Sequence, residues 1–120
     1  MGTSIIATLL TVLLVTGATS SLADADIAHT AKVTVLSSNL ANGATTGEWG
    51  FSAMVQTADH CTLFDAGRFT DTVVKNAAAL QIDLGCVRNI VLSHFHFDHT
   101  SGLASVVTKI RASGYAGQLN

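Results

Sequence analysis

The chain of 120 residues has little charge, only two cysteines and no proline. Charged residues make up 12% and hydrophobic residues 48%, which excludes a disordered acidic or basic tail. A formal net charge of −2 and a pI near 6.1 give no electrostatic footprint for nucleic acid. Internal repeats and low-complexity tracts are also absent from the sequence. The length allows one domain at most.

The two cysteines, Cys61 and Cys86, do not have the C-x-x-C spacing of many metal sites. Both are predicted near the starts of neighbouring strands, so a bridge between them is geometrically feasible. An exported protein can oxidise such a pair to a disulfide, whereas a cytosolic protein would keep two buried, inert thiols. The sequence leaves both alternatives open.

The N-terminal segment differs in composition from the rest of the chain. An uncharged apolar run extends from Ile5 to Val15, and the small-x-small site Ser21-Leu22-Ala23 follows it. This is the pattern of a secretory signal, and the run is shorter than the roughly 20 residues that cross a bilayer. We therefore predict a signal peptide over residues 1–23, cleaved after Ala23 or Ala25, and a periplasmic or secreted protein without a stable membrane anchor. No lysine or arginine precedes the run, and a buried core helix or strand is the alternative.

Hydrophobic periodicity predicts an α/β order of strand, hairpin, helix, strand and helix. Three segments alternate between apolar and polar residues and predict strands, the last two forming the hairpin: 31–36, 51–57 and 61–64. A helix is predicted to begin at Thr70 or Asp71. Residues 89–92 are an apolar run typical of a strand buried on both faces, which makes the preceding helix a parallel crossover. The last helix is predicted to begin at Thr100 or Ser101.

Four side chains that bind metals fall within six residues after the predicted buried strand: His94, His96, Asp98 and His99. Imidazole nitrogen and carboxylate oxygen are the ligands of catalytic zinc sites, and ligands gather at the carboxyl ends of strands in open α/β sheets. Because His94 and His96 are two residues apart, extended backbone can point both rings to one metal. Asp98 and His99 lie where the backbone turns into the helix and can face a second metal. The alternative is a polar cluster of hydrogen-bonded histidines.

Residues 93–103, SHFHFDHTSGL, resemble the metal-binding motif of the metallo-β-lactamase superfamily. Residues 63–67, LFDAG, are similar to the Asp-Thr-Gly turn of that family, with Ala66 in place of threonine. The resemblance covers residues 31–112 and implies that residues 24–120 are the N-terminal half of a four-layer αββα sandwich.

Two further segments resemble one branch of this family, exported proteins related to dihydropterin–ribofuranosylaminobenzene-phosphate synthase. They are residues 48–55, EWGFSAMV, and residues 76–84, where Gln81 replaces the usual glycine. This resemblance favours a general hydrolase or a pterin-type transferase over a β-lactamase proper.

The resemblance also implies the roles of the site residues. His94 and His96 would bind the first metal, Asp98 and His99 the second, and Asp65 would support the ligands by hydrogen bonding. The expected cofactor is zinc, two divalent ions in the complete site, with manganese or iron as alternatives. A metal-bound hydroxide would attack an ester, amide or phosphate-type small-molecule substrate, and Asp98 would orient the water or accept its proton as the catalytic residue.

The later ligands of the family, a third histidine, a bridging aspartate and a final histidine, lie downstream of the equivalent of Asn120. Each metal is then left with two protein ligands, and one face of the sheet has nothing to bury against. The other histidines, His29 and His60, are expected on the surface. The alternative function is therefore a truncated, non-catalytic metal-binding fragment that can need a partner chain. Whether the protein is an enzyme is left open, and this chain alone is expected to be incomplete for catalysis.

Four remaining side chains have two interpretations each. Trp49 borders the active-site mouth by resemblance, although a lone tryptophan is more typical of a packing anchor. Arg68 can meet an anionic substrate or remain a solvated charge. Phe95 and Phe97 are expected to be packing residues rather than substrate contacts.

Overall fold

A computed structural model of the protein describes residues 30–120, so the predicted signal peptide and His29 lie outside the described residues. The elements in chain order are β1 Lys32–Ser37, β2 Ser52–Gln56, β3 Cys61–Phe64, α1 Thr72–Ala79, β4 Val87–Val91, α2 Phe97–Thr100 and α3 Leu103–Ala112. The predicted α/β class and the predicted order of elements are confirmed. The short helix α2 and a 3₁₀ turn at Leu84–Cys86 were not predicted, because a single turn is too short to show a period. Within residues 30–120, no helix has the length and hydropathy needed to cross a membrane.

The four strands form one sheet in the order β1-β2-β3-β4. β2 is antiparallel to both β1 and β3, whereas β3 and β4 are parallel. The predicted hairpin is confirmed, and the amide of Thr57 closes it by donating to the carbonyl of His60 at 3.0 Å. The parallel crossover through α1 is also confirmed. Because β3 and β4 are parallel, their carboxyl ends lie side by side, and Asp65 and the histidine segment both leave the sheet at this edge.

Helices α1 and α3 cover one face of the sheet. Each helix presents apolar side chains at i, i+4 spacing, Val73 with Ala77 and Val106 with Ile110, and all four are at most 1% exposed. Fully burying one such aliphatic side chain contributes about 1.5–3 kcal/mol for the larger residues. They pack with the largest buried side chains of the sheet and the 3₁₀ turn: Leu36, Met54, Leu63, Leu84 and Val87.

The opposite face of the sheet carries an apolar row that crosses all four strands. The strand register aligns Val35 with Ala53, Ala53 with Phe64 and Phe64 with Val91. Val35, Phe64 and Val91 are 50%, 37% and 45% exposed. The prediction that the fourth strand is buried on both faces is therefore wrong for the described residues, since the helices cover only one face.

The outer edge of β4 is paired by Asn120. The amide of Ile90 donates to the carbonyl of Asn120 at 2.8 Å, and the amide of Asn120 donates to the carbonyl of Arg88 at 3.2 Å. These two bonds flank Asn89 in the pattern of a parallel ladder. After α3, the chain thus returns to lie beside β4 in the same direction.

Cys61 and Cys86 form a disulfide, with their Cα atoms 5.3 Å apart. Cys61 is the first residue of β3, and Cys86 lies directly before β4. The bridge therefore joins the two parallel strands at the end opposite to the histidine segment. Of the two alternatives that the sequence left open, the structure has the disulfide.

Candidate metal centre

His94, His96 and Asp98 form a compact group at the carboxyl ends of β3 and β4. Each offers one ligand atom, and these atoms all lie within 4.8 Å of one another. The rings of His94 and His96 are 4.6 Å apart, and both residues are exposed, whereas Asp98 is half-buried. His96 has extended backbone with φ −69° and ψ 145°, so the alternation expected from the sequence brings both rings to one side.

His99 lies beside this group and is anchored to Asp65. Its Nδ1 atom is 2.7 Å from Asp65 Oδ2, and its Nε2 atom is 3.5 Å from Asp98 Oδ2. The His99 ring is also 4.2 Å from the ring of His94. The carboxylate of Asp98 thus lies near both His99 and the His94–His96 pair. The assignment of two ligands to each of two metals stays a prediction, as does the supporting role of Asp65 at a loaded site.

Backbone contacts hold these segments together. The amide of Asp65, which has a positive φ of 56°, donates to the carbonyl of Val91 at 2.8 Å, and the amide of Ala66 donates to the carbonyl of His99 at 2.7 Å. Gly102 is required for this approach, because a Cβ atom there would collide with the carbonyl oxygen of Ala66. The glycine in the motif TSGL therefore lets the start of α3 lie against the turn that carries Asp65.

Asp65 is a buried carboxylate, 1% exposed, with three donors around it. The amide of Ser93 donates to Oδ1 at 2.8 Å, and Oδ2 is 2.8 Å from the Ser93 hydroxyl as well as 2.7 Å from His99. Burial raises the pKa of Asp65, but the hydrogen bonds from Ser93 and His99 lower it further than burial raises it. Asp65 is therefore ionised at neutral pH, and an ionised carboxylate only accepts hydrogen bonds.

Glu48 is a second buried carboxylate, 5% exposed, and its burial was not predicted from the sequence. It accepts hydrogen bonds from the Ser37 hydroxyl at 2.5 Å and from the amides of Arg68 and Phe69 at 2.9 Å each. Burial raises the pKa of Glu48, and these hydrogen bonds lower it to a net value below the ordinary one. Glu48 thus fixes the segment that follows the Asp65 turn. Its partners are distant in sequence, so no local pattern could reveal them.

Two cavities, of about 450 and 550 Å³, flank the metal-binding group, and Trp49 and Asp98 line both of them. Trp49 is 66% exposed, which is not the environment of a packing anchor among the described residues. Phe95 and Phe97 line the larger cavity and are 91% and 60% exposed, so the expectation that they pack is wrong for residues 30–120. The guanidinium of Arg68 lies 5.2 Å from the centre of the Phe97 ring.

The donor set of this group fits a divalent metal. Two imidazoles and one carboxylate are a known ligand set for catalytic zinc, which keeps a further position open for water or substrate. Ligand atoms at zinc-bond length in a tetrahedral site lie about 3.4 Å apart. The group would have to contract by about 1.4 Å from its 4.8 Å spread, and the exposed rings of His94 and His96 leave room for this movement.

Comparison with known proteins agrees with this geometry. The profile of the metallo-beta-lactamase superfamily matches residues 47–120. A 7,8-dihydropterin-6-methyl-4-(beta-D-ribofuranosyl)-aminobenzene-5'-phosphate synthase from Methanocaldococcus jannaschii is 38% identical over 48 residues, which are 40% of this chain and 16% of that protein.

Two solved structures share the fold. A metal-dependent hydrolase of the beta-lactamase superfamily is 34% identical, with a TM-score of 0.52 over 61% of this chain and 26% of its own. The short form of human tRNase Z is 24% identical, with a TM-score of 0.53 over 65% of this chain and 29% of its own. The chain thus spans less than a third of the length of each of these relatives.

Proposed function

The chain belongs to the metallo-beta-lactamase superfamily, and on this premise we propose that it serves as a metal-dependent hydrolase. The observation that carries the proposal is the group of His94, His96 and Asp98 at the carboxyl ends of two parallel strands. A bound divalent metal, zinc in this proposal, would supply Lewis acidity and lower the pKa of water. The reaction proposed is hydrolysis of an ester, amide or phosphate-type bond.

The residues of the group would have different roles in the reaction. His94 and His96 are exposed imidazole side chains that would hold the metal. The carboxylate of Asp98 is half-buried and 3.5 Å from His99 Nε2, so it can serve as a ligand and also orient the attacking water or accept its proton. His99, fixed by Asp65, would complete the ring of donors around Asp98.

The aromatic side chains beside the group support a substrate with a flat ring and an anionic group. Trp49 and Phe97 expose large apolar surfaces to the larger cavity, and Arg68 brings a positive charge to the ring of Phe97. The name of the archaeal relative includes a dihydropterin and an aminobenzene phosphate, which combine flat rings with an anionic group. A pterin-type transferase is therefore proposed as the neighbouring activity of the same site.

The disulfide supports the proposed export of the protein. Disulfides form and persist in oxidising compartments such as the bacterial periplasm and the extracellular space, and they are rare in the cytosol. The bridge between Cys61 and Cys86 joins two neighbouring strands of the sheet, so it is part of the folded domain.

The test of the metal site is zinc binding by the purified chain and four variants. Loss of a residue that hydrogen-bonds a metal ligand weakens metal binding by roughly 10–100-fold. We expect His94→Ala and His96→Ala, which remove the ligands themselves, each to weaken zinc binding at least as much. His60→Ala is the matched control, because His60 is exposed in the turn between β2 and β3. Zinc content and calorimetric titration are measured together. Equal zinc binding by wild type and the His94→Ala/His96→Ala double variant would refute the proposal.

A second candidate is a metal-binding module without turnover. Two observations favour it: His94 and His96 are exposed, and the apolar row on the sheet is uncovered. A partner chain that packs on this row would bury it. Hydrolysis of 4-nitrophenyl acetate and 4-nitrophenyl phosphate by the zinc-loaded chain separates the two. Zinc-dependent turnover that is lost in Asp98→Asn supports the hydrolase, zinc binding without turnover supports the module, and absence of zinc binding refutes both.

A further inference from the structure

The hydroxyl of Ser93 connects the buried Asp65 to the ring of His94. Ser93 Oγ lies 2.8 Å from Asp65 Oδ2 and 2.9 Å from His94 Nδ1. The amide of the same serine donates to Asp65 Oδ1 at 2.8 Å, so two bonds to one carboxylate hold Ser93 in place. The serine therefore sits between a fixed acceptor and a ring nitrogen whose proton is not assigned by distance alone.

The chemistry of the three groups determines the direction of these hydrogen bonds. A hydroxyl has one proton to donate, and an ionised carboxylate is a stronger acceptor than a neutral imidazole nitrogen. The proton of Ser93 thus points to Asp65. The Ser93 oxygen is then left as an acceptor, and the 2.9 Å contact with His94 is a hydrogen bond only if Nδ1 of that ring carries a proton.

The same carboxylate acts directly on His99. Asp65 Oδ2 accepts from His99 Nδ1 at 2.7 Å, so this ring also carries its proton on Nδ1. Its Nε2 atom faces Asp98, 3.5 Å from the carboxylate oxygen. In both rings the nitrogen that remains free is therefore Nε2.

We propose that Ser93 is a positioning residue that, together with Asp65, keeps the proton of His94 on Nδ1 and leaves Nε2 as the metal-binding atom. Asp65 does the same for His99 without an intermediary. The inference rests on the proposed metal site for its purpose, but the proton position itself is a property of the metal-free protein. Ser93 would act through His94 and would not touch the metal.

His96 provides an internal comparison. The hydrogen bonds to ring nitrogens among residues 94–99 involve His94 and His99 and not His96. Its proton position is therefore not set by Ser93 or Asp65, and the nitrogen that carries its proton should stay the same in variants of either residue.

The experiment is a long-range ¹H–¹⁵N correlation spectrum of the metal-free, ¹⁵N-histidine-labelled chain, at a pH where imidazoles are neutral. We expect His94 and His99 of the wild type to show a protonated Nδ1 and an unprotonated Nε2. Ser93→Ala removes the acceptor, so His94 should shift towards the Nε2–H form that free imidazole side chains favour, while His99 keeps Nδ1–H. Zinc affinity should fall about 10–100-fold. Ser93→Thr keeps the hydroxyl and should restore both properties.

Asp65→Asn tests the direction of the chain of hydrogen bonds. The Ser93 amide keeps the carbonyl oxygen of the new side chain on its own side, so the amide group would donate to Ser93 Oγ. Ser93 would then donate to His94 and force the proton onto Nε2. Ser113→Ala is the control for loss of a serine hydroxyl, because that hydroxyl bonds only backbone carbonyls at the end of α3.

A wild-type spectrum with the His94 proton on Nε2 overturns the proposal, and so does a Ser93→Ala protein whose spectrum and zinc affinity match the wild type. Where a variant does not fold, the wild-type spectrum alone gives the answer. Because this spectrum is recorded without metal and without substrate, its outcome is separate from that of the proposed hydrolase activity.

Discussion

Reduction of the bridge between Cys61 and Cys86 should lower the free energy of unfolding by several kcal/mol. The two residues are 25 positions apart, and the loop that they close contains the whole of α1. In the chain-entropy treatment, closing a loop of this length in the unfolded chain contributes about 3–4 kcal/mol. Since domains of this size are stable by about 5–15 kcal/mol in total, the loss would be a large part of what holds the fold together.

The assay is urea unfolding of the metal-free protein with and without a thiol reductant, followed by far-ultraviolet circular dichroism. We expect the reduced protein to unfold at a lower urea concentration. The variant Cys61→Ala/Cys86→Ala is the control, because its unfolding should not respond to the reductant. Two readings would refute the reasoning: oxidised and reduced protein that unfold within about 1 kcal/mol of each other, or protein secreted into an oxidising medium that still carries two free thiols.

Two further predictions concern the edges of the site. The pKa of Glu48 lies below its ordinary value of 4.5, so its stabilising contribution is complete above that pH and is lost as the pH falls through the lower folded pKa. Glu48→Gln should therefore cost about 1–3 kcal/mol near neutral pH and less in acid, whereas a constant cost from neutral to acid pH would contradict the assignment. Trp49 is the only tryptophan and lines both cavities beside Asp98, so phenyl phosphate bound there should quench its fluorescence and protect it from acrylamide. Propyl phosphate is the matched aliphatic probe, and equal effects of the two compounds would exclude stacking on Trp49.

The elements of the fold could be predicted where a periodic pattern is long enough to be specific. Residues 61–64 were predicted as a strand with the bounds that the structure has, and the helix predicted to begin at Thr70 or Asp71 begins at Thr72. The burial of β4 was predicted incorrectly. An apolar run shows that a strand is hydrophobic on both faces, but it does not show whether both faces are covered, which depends on the layers around the sheet.

The candidate site also has a part that could be predicted from the sequence and a part that could not. His94, His96 and Asp98 were identifiable because one short segment carries all three, and strand alternation relates their directions. The partners that orient them come from distant parts of the chain. Asp65 is 28 residues from Ser93, and only the pairing of β3 with β4 brings the two together. The sequence therefore predicts the ligands, while the hydrogen bonds behind the ligands require the fold.

The parallel pair β3–β4 is joined at both ends, by the disulfide at one end and by the bonds between Asp65 and Ser93 at the other. At about 3.3 Å per residue, the four residues from Cys61 to Asp65 separate the two joints by about 13 Å. Changes more than about 7–10 Å apart add within about 0.5 kcal/mol. We therefore expect saturating zinc to raise the free energy of unfolding by the same amount in oxidised and reduced protein. A zinc stabilisation that falls by more than about 1 kcal/mol on reduction would show that the disulfide shapes the metal site itself rather than only the stability of the domain around it.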